Sequence, residues 1–554
     1  MNLQLQFASL LTLGVLSGFV LAIILAIAYV MGDVSWQAVI ITIILYNVLA
    51  WLISPYINDL IYRWLYRVTF YEFHQIKNER YAKFVKRICD RHGIPFPKIG
   101  IIKDQNPTAF TYGSGAFNAR IVFTQGLFHF LNEEEIEAVL AHEVGHIKNK
   151  DFIIMTIAAT LLQILYEMYV ILTRSRSRSA SFSSYGFDKK GRRGDPRAIL
   201  HLIGWVSYLF YWLGTYVLLF LSRMREYYAD EFSAKETGNP NALSSALIKI
   251  AYGIAAVPDT ERTAHLLNNT RAQGIYDIKA AHEMGLVATN SKGKRGKLEN
   301  ALLFDLVNPW AWFFELKSTH PLTGKRIRRL GSFAKKPMFD FMRVESKEID
   351  RGRMWKNFAR DFFMEYLGTL LIIAFIVVFA FEIFYDSGNM LLIFSAFLVA
   401  VLLAGLAKMS YKYPVTGFQS TTIEDCMGDI YASPVRGKPI KLEGKAIGRG
   451  QAGFMFGEDM MFQDKSGIIF LNYEGSVPLF SNLVFAWKKL ESLLQKQACA
   501  QGWFLRGATH HIELDSFSAQ GQTIKSWVRF WAFAGWGIMV IILGVIAYVL
   551  LPSF

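Results

Sequence analysis

Long apolar stretches separated by polar blocks set the plan of this chain. Residues 7–31, 38–57, 365–385, 389–409 and 528–551 are each predominantly apolar and long enough to cross a bilayer, which takes about 20 residues. Two more stretches, 152–172 and 198–221, include Gln163, Glu167 and His201, so they read as helices packed against protein as well as lipid. The pattern predicts seven spans. The first run lacks a basic flank and a small-residue cleavage pattern and is soon followed by a second, so it reads as a retained span.

The polar blocks have their own periodicities. After residue 58 a helix is predicted over Glu79–His92, then short β-like runs at Lys98–Lys103, Thr108–Tyr112 and Ala119–Thr124, divided by Asn-Pro and Gly-rich turns. Asn132 can cap the next helix with Glu135 in the capping-box position, and Ile136, Val139, Leu140 and Ile147 give it an apolar face. Residues 222–364 read as mainly helical, with a Gly/Lys-rich loop near 291–297. Residues 411–527 differ: β-like runs at Ile440–Ala446, Gly467–Tyr473, Gly502–Gly507 and His511–Leu514, with a helical insertion near 482–497, suggest a small OB-like barrel. The expected organisation is two transmembrane helices in 1–57, a catalytic domain in 58–364 that includes the hairpin 152–221, two transmembrane helices in 365–410, a β-rich domain in 411–527 and a final span in 528–554.

Composition narrows the class. An apolar content of 53% over 554 residues excludes a purely cytosolic globule. The formal charge of +14 in such a chain suggests loops on an anionic cytoplasmic membrane face before it suggests nucleic acid. Three cysteines, Cys89, Cys426 and Cys499, form no disulfide framework or metal pair and fit a reducing compartment. Arg63, Arg67, Lys77 and Arg80 after the second span, and Arg351, Arg353, Lys356 and Arg360 before the fifth, place those regions in the cytoplasm. The loop 173–197 disagrees, because its many Arg and Lys residues would lie outside if both hairpin helices cross. Either the hairpin crosses incompletely or the loop departs from the rule.

The chemistry sits at residues 142–146, His-Glu-Val-Gly-His. Histidines at i and i+4 share one helix face, so His142 and His146 can both reach one tetrahedral zinc while Glu143 faces the water that the metal activates. A catalytic zinc needs a third protein ligand and an open fourth position. Two antiparallel hairpin helices would bring Glu226, a few residues beyond the fourth predicted span, to the height of the histidines. Asp230, one turn on, can then accept a hydrogen bond from a ligand histidine.

Together these residues resemble the membrane zinc metallopeptidases typified by HtpX and, more distantly, the CAAX prenyl endopeptidases. The matching stretches are 132–148 around the pentad, 222–234 reading SRMREYYADEFSA and 318–330 reading STHPLTGKRIRRL, and the resemblance covers roughly residues 1–335. It implies one zinc held by His142, His146 and Glu226, with Glu143 as general base and Asp230 behind the ligands. It also implies His320 as an oxyanion or substrate contact supported by Arg326, and Ala109, Phe110 and Thr111 as an edge strand for extended substrate. Thr108 stands where the family usually has Asn, which leaves the backbone pairing as the expected mode. The two later spans, the β-rich block and the last span have no counterpart in the short HtpX-like core.

Other motifs are set aside. His282-Glu283 is followed by Leu286 where a second histidine is needed, His510 and His511 are taken as surface residues on opposite faces of a strand, and the Arg/Ser run 174–182 reads as a solvated or lipid-facing loop. The expectation is a mainly α integral membrane protein with a zincin-type α+β domain and a β-rich C-terminal domain. It would cleave membrane or membrane-proximal proteins at the cytoplasmic face of a bacterial inner membrane, most simply in quality control, with peptide and bilayer as partners and no nucleic acid. Prenyl-protein processing and an inactive scaffold acting through the β-rich domain are the competing readings.

Overall fold

The computed structural model describes residues 36–174, 196–256, 295–341, 349–385, 390–415, 417–449, 459–477, 493–507 and 510–550, together with 482 and parts of 15–24. The longer helices are α1 (Trp36–Tyr66), α2 (Arg80–His92), α3 (Glu133–Lys148), α4 (Asp151–Arg174), α5 (Pro196–Thr237), α6 (Pro240–Ala256), α7 (Arg295–Val307), α8 (Thr323–Phe333), α9 (Arg351–Tyr385), α10 (Met390–Lys412) and α11 (Val528–Leu550). Among the described residues five of them, α4, α5, α9, α10 and α11, are long and apolar enough to cross a membrane. Large apolar side chains such as Ile376, Leu392 and Ile541 stand exposed on the last three, as lipid-facing helices require. Helix α1 covers the second predicted stretch. The first, 7–31, lies largely outside the described residues, as does the basic loop 174–182. Helix α9 starts at Arg351, well before the predicted apolar run, because its polar first turns continue the helix beyond the apolar segment.

The sheet next to α3 has strands β1 (Thr69–Tyr71), β2 (Lys98–Ile102), β3 (Ala109–Tyr112) and β4 (Arg120–Thr124) in the order β1-β2-β4-β3. The central pair is parallel and the two outer pairs antiparallel, which leaves β3 on the edge. Arg120 and Tyr112 fasten this edge to α1: the Arg120 Nη2 group lies 2.8 Å from Asp59 and the Tyr112 hydroxyl donates to the same carboxylate at 2.7 Å.

The C-terminal strands are β5 (Gln419–Ser420), β6 (Lys438–Arg449), β7 (Met460–Gln463), β8 (Ile468–Asn472), β9 (Gln497–Arg506), β10 (His510–Ala519) and β11 (Gln522–Lys525). Five of them close a ring: β6 pairs β7, β7 pairs β8, β8 pairs β10 in parallel, β10 pairs β9, and β9 returns to β6. Closure removes the exposed edges an open sheet would carry. The predicted helical insertion falls mostly outside the described residues, and Gln497 opens a strand because it pairs with Lys445. His510 corrects the surface assignment. It is only 1% exposed, since strand alternation puts it in phase with the buried Ile512 and Leu514.

Candidate metal centre

Helix α3 begins where the sequence signals it. The Asn132 side chain accepts from the Glu135 backbone N–H at 2.9 Å, and the Glu135 carboxylate accepts from the Asn132 N–H at 2.8 Å, satisfying two donors that no helix turn can reach. The helix then packs against α5 at very close range. A Cβ on Gly145 would lie 3.2 Å from the Ala229 Cα and 3.2 Å from the Phe232 ring, so the smallest residue stands where the two backbones cross. That crossing puts Glu226 and Asp230 against the histidines.

Three ligand atoms converge. The His142 Nε2 lies 3.2 Å from the His146 Nε2 and 3.4 Å from a Glu226 oxygen, and the His146 Nε2 is 3.5 Å from the other Glu226 oxygen. Donor atoms about 2.0–2.1 Å from a tetrahedral zinc stand about 3.3 Å from one another. The spacing therefore fits such an ion, and the donor set of two neutral imidazoles and a carboxylate suits zinc.

Each histidine is aimed by its second nitrogen. His142 Nδ1 is 3.0 Å from Asp230, and His146 Nδ1 is 2.6 Å from Asp151; carboxylates in these places fix ring orientation and tautomer. Burial alone would lower the His142 imidazole, but Asp230 and Glu226 outweigh it and raise the group to about 9 in the metal-free protein. Glu143 is fully buried, and burial pushes its carboxyl above the usual range despite the neighbouring histidines and Thr111. The Thr111 hydroxyl donates to Glu143 Oε2. Among the described residues Glu143 Oε1 and Glu226 Oε2 are buried without a hydrogen-bond partner, an arrangement that costs stability unless something else engages them.

The remaining predicted residues divide into two groups. His320 is brought in, with its Nε2 3.5 Å from Glu226 and its Nδ1 2.9 Å from the Thr319 hydroxyl. Thr111 also joins the centre. Arg326, expected beside the substrate in support of His320, is brought to the centre but is buried: it is 1% exposed, donates two hydrogen bonds to Asp230 at 2.8 and 2.6 Å, and its Nη2 lies 3.7 Å from Glu226. A guanidinium beside a buried carboxylate holds it by a bidentate pair, so Arg326 braces Asp230 from behind. Ala109 and Phe110 are fully buried, leaving the β3 backbone as their contribution.

Asp151 was not anticipated. Its signal was an acidic residue opening the next helix five positions after His146, beyond a left-handed Lys150 at φ 59°; that turn sends the carboxylate back toward the ring. The thiols of Cys89 and Cys426 are pushed up to about 12 by burial and play no part in this chemistry.

A cavity of about 530 Å³ opens on the centre, between α1 and α4. Thr111, His146 and Glu226 line one end, and Asn47, Thr160 and Gln163 extend it along the hairpin helix.

The chain is similar in sequence to known proteases. Residues 75–334 match the model of Peptidase family M48. A protease HtpX homolog of Pyrococcus abyssi is 33% identical over 323 residues, 58% of this chain and 94% of its own length. One from Pyrococcus furiosus is 31% identical over 327 residues, again 58% and 94%. A solved structure of S. mikatae Ste24p covers 59% of this chain and 66% of its own at TM-score 0.33 and 16% identity. With so nearly complete a relative at that identity, and with apolar helices flanking its matched region, the chain belongs to the HtpX-like M48 peptidases, a family of zinc metallopeptidases.

Proposed function

We propose that the protein is an integral membrane zinc endopeptidase that cuts membrane or membrane-proximal proteins on the cytoplasmic side, in quality control. The observation that carries this reading is the convergence of His142, His146 and Glu226 at tetrahedral-edge spacing, with Glu143 beside them. The cavity that leads from the centre between two apolar helices supports a substrate segment delivered close to the bilayer. The Arg and Lys residues flanking α1 and α9 support the cytoplasmic face, and the intact ligand set speaks against an inactive scaffold.

His142, His146 and Glu226 would hold the zinc. Bound there, it would polarise the scissile carbonyl and acidify water. Thr111 occupies one oxygen of Glu143, so Oε1 is the atom that takes the proton of the attacking water and later passes it to the leaving amine. His320, on the Glu226 side, would donate to the carbonyl oxygen as negative charge builds on it. The edge strand β3 offers its free backbone side to an extended substrate.

The same proposal keeps the division of the chain at 57, 364, 410 and 527. It also takes the β-rich unit as OB-like, on the strength of its five-stranded ring closed by a parallel β8–β10 pair. Purified protein in detergent should cut casein, lose the activity to a chelator and regain it with zinc. Cleavage unaffected by chelation would overturn the reading. Exclusive cutting of a farnesylated peptide at its cysteine would replace it with prenyl processing.

A further inference from the structure

The C-terminal unit reaches the residues that flank the metal centre through several contacts, Val435 packing with Phe304 and Leu322 among them, and one buried charged side chain of the barrel itself takes part. Arg506, at the end of β9, is 5% exposed. Its guanidinium donates to the Ala301 carbonyl at 2.9 Å and to the Met427 carbonyl, and its carbon centre sits 3.8 Å from the middle of the Phe304 ring. Ala301 and Phe304 belong to α7. A second tie runs beside it, from the Asn308 amide at the end of α7 to the Ile430 carbonyl at 2.8 Å.

Helix α7 in turn lies directly against residues 322–324. Phe304 shares a buried cluster with Leu322. The Gly324 N–H donates to Asp305 at 2.9 Å. A Cβ on Gly324 would lie 2.5 Å from the Leu302 carbonyl oxygen, so no slack separates the helix from this loop. Two residues before Leu322 is His320, beside Glu226; two after Gly324 is Arg326, holding Asp230.

We infer that Arg506 is a positioning residue for the metal centre: from the barrel it fixes α7, and α7 fixes the segment that carries His320 and Arg326. The appended domain, well beyond residue 334 where the family match ends, would thereby set the catalytic rate of the core. A planar cation that stacks on an aromatic face while donating to two carbonyls is rigid in a way an ammonium is not. Because the metal ligands sit on α3 and α5, and Arg326 keeps its own bidentate hold on Asp230 inside the buried cluster, a shift of α7 should be felt first at His320 and lower turnover with little loss of zinc. The inference rests on the peptidase reading proposed above.

The test uses the full chain in detergent, with casein as substrate and zinc content measured alongside. Arg506→Ala should lower kcat about tenfold with KM and bound zinc close to wild type, and Arg506→Lys should recover only part of the loss. His320→Ala should also lower kcat, and adding Arg506→Ala to it should cost little more, because both changes act on the same group. Phe304→Leu removes the stacking partner from the other side and should reproduce the Arg506→Ala effect if that variant fails to fold. Wild-type kcat in Arg506→Ala or in Phe304→Leu would overturn the inference, as would a full further tenfold loss in the double variant. Loss of zinc-dependent cleavage in the wild-type protein itself would instead overturn the peptidase reading.

Discussion

Two buried carboxylates in this molecule differ in what surrounds them. Glu513, in the barrel, accepts from the Lys412 ammonium at 2.7 Å and lies 3.6 Å from His511. Glu226, at the metal centre, faces the Nε2 atoms of three histidines at 3.4–3.5 Å, with one oxygen that makes no hydrogen bond. In the barrel an ammonium, always a donor, meets one oxygen of the carboxylate, while Oε2 is buried without a hydrogen-bond partner among the described residues, just as at the centre. At the centre imidazole nitrogens, which are metal donors once neutral, surround the carboxylate, with the Arg326 Nη2 3.7 Å from Glu226 Oε2; it is this set of convertible nitrogen and oxygen donors that a bound cation stabilises. Burial of an acid is therefore not in itself a sign of chemistry; the kind of neighbour is.

Changes at the two places should separate them, the largest effect coming from the centre. Glu143→Gln keeps the shape and the Thr111 contact but removes the proton acceptor, so kcat should fall by about 10²–10⁴-fold with zinc content unchanged; a variant that keeps wild-type turnover would remove Glu143 from the reaction. Asp151→Asn leaves a polar group near His146 Nδ1 but no charge, and zinc affinity measured by chelator competition should weaken about tenfold or more. Gly145→Ala forces a methyl into the α3–α5 crossing, and a melting curve should show a loss of about 1 kcal/mol together with weaker zinc retention.

The smallest effect belongs to the barrel. Burial alone would raise the Glu513 carboxyl, but His511 and Lys412 hold it down at about 2. Because its folded value lies below the unfolded one, its contribution is present above the ordinary carboxylate range near 4.5 and is lost as pH falls toward about 2. Thermal stability should therefore fall across that window in the wild-type protein and fall less steeply in Lys412→Met. An identical acid profile for both would show that the pair does nothing.

What the sequence reveals follows the range of the interaction. The capped helix α3, its histidine spacing and strands β2 to β4 are written in neighbouring residues, through turn chemistry and hydrophobic period. Glu226 is 80 positions from His146, yet it was legible because two apolar stretches of similar length, 152–172 and 198–221, fix the height at which the chain returns. Asp151 was not, because a single left-handed residue at Lys150 decides where it points. The buried bidentate pair between Arg326 and Asp230 and the Arg506 contact with α7 were also hidden: side-chain contacts spanning 96 and 205 positions leave no periodic trace. His510 misled because a histidine's polarity suggests solvent while its strand phase turns it inward.

The most direct measurement is zinc content by mass spectrometry on the purified full chain, wild type against Glu226→Ala. One zinc per wild-type chain is expected and almost none in the variant, with both still folded. A variant that keeps its full complement of zinc, or a folded wild-type protein that binds none when zinc is supplied, would contradict it.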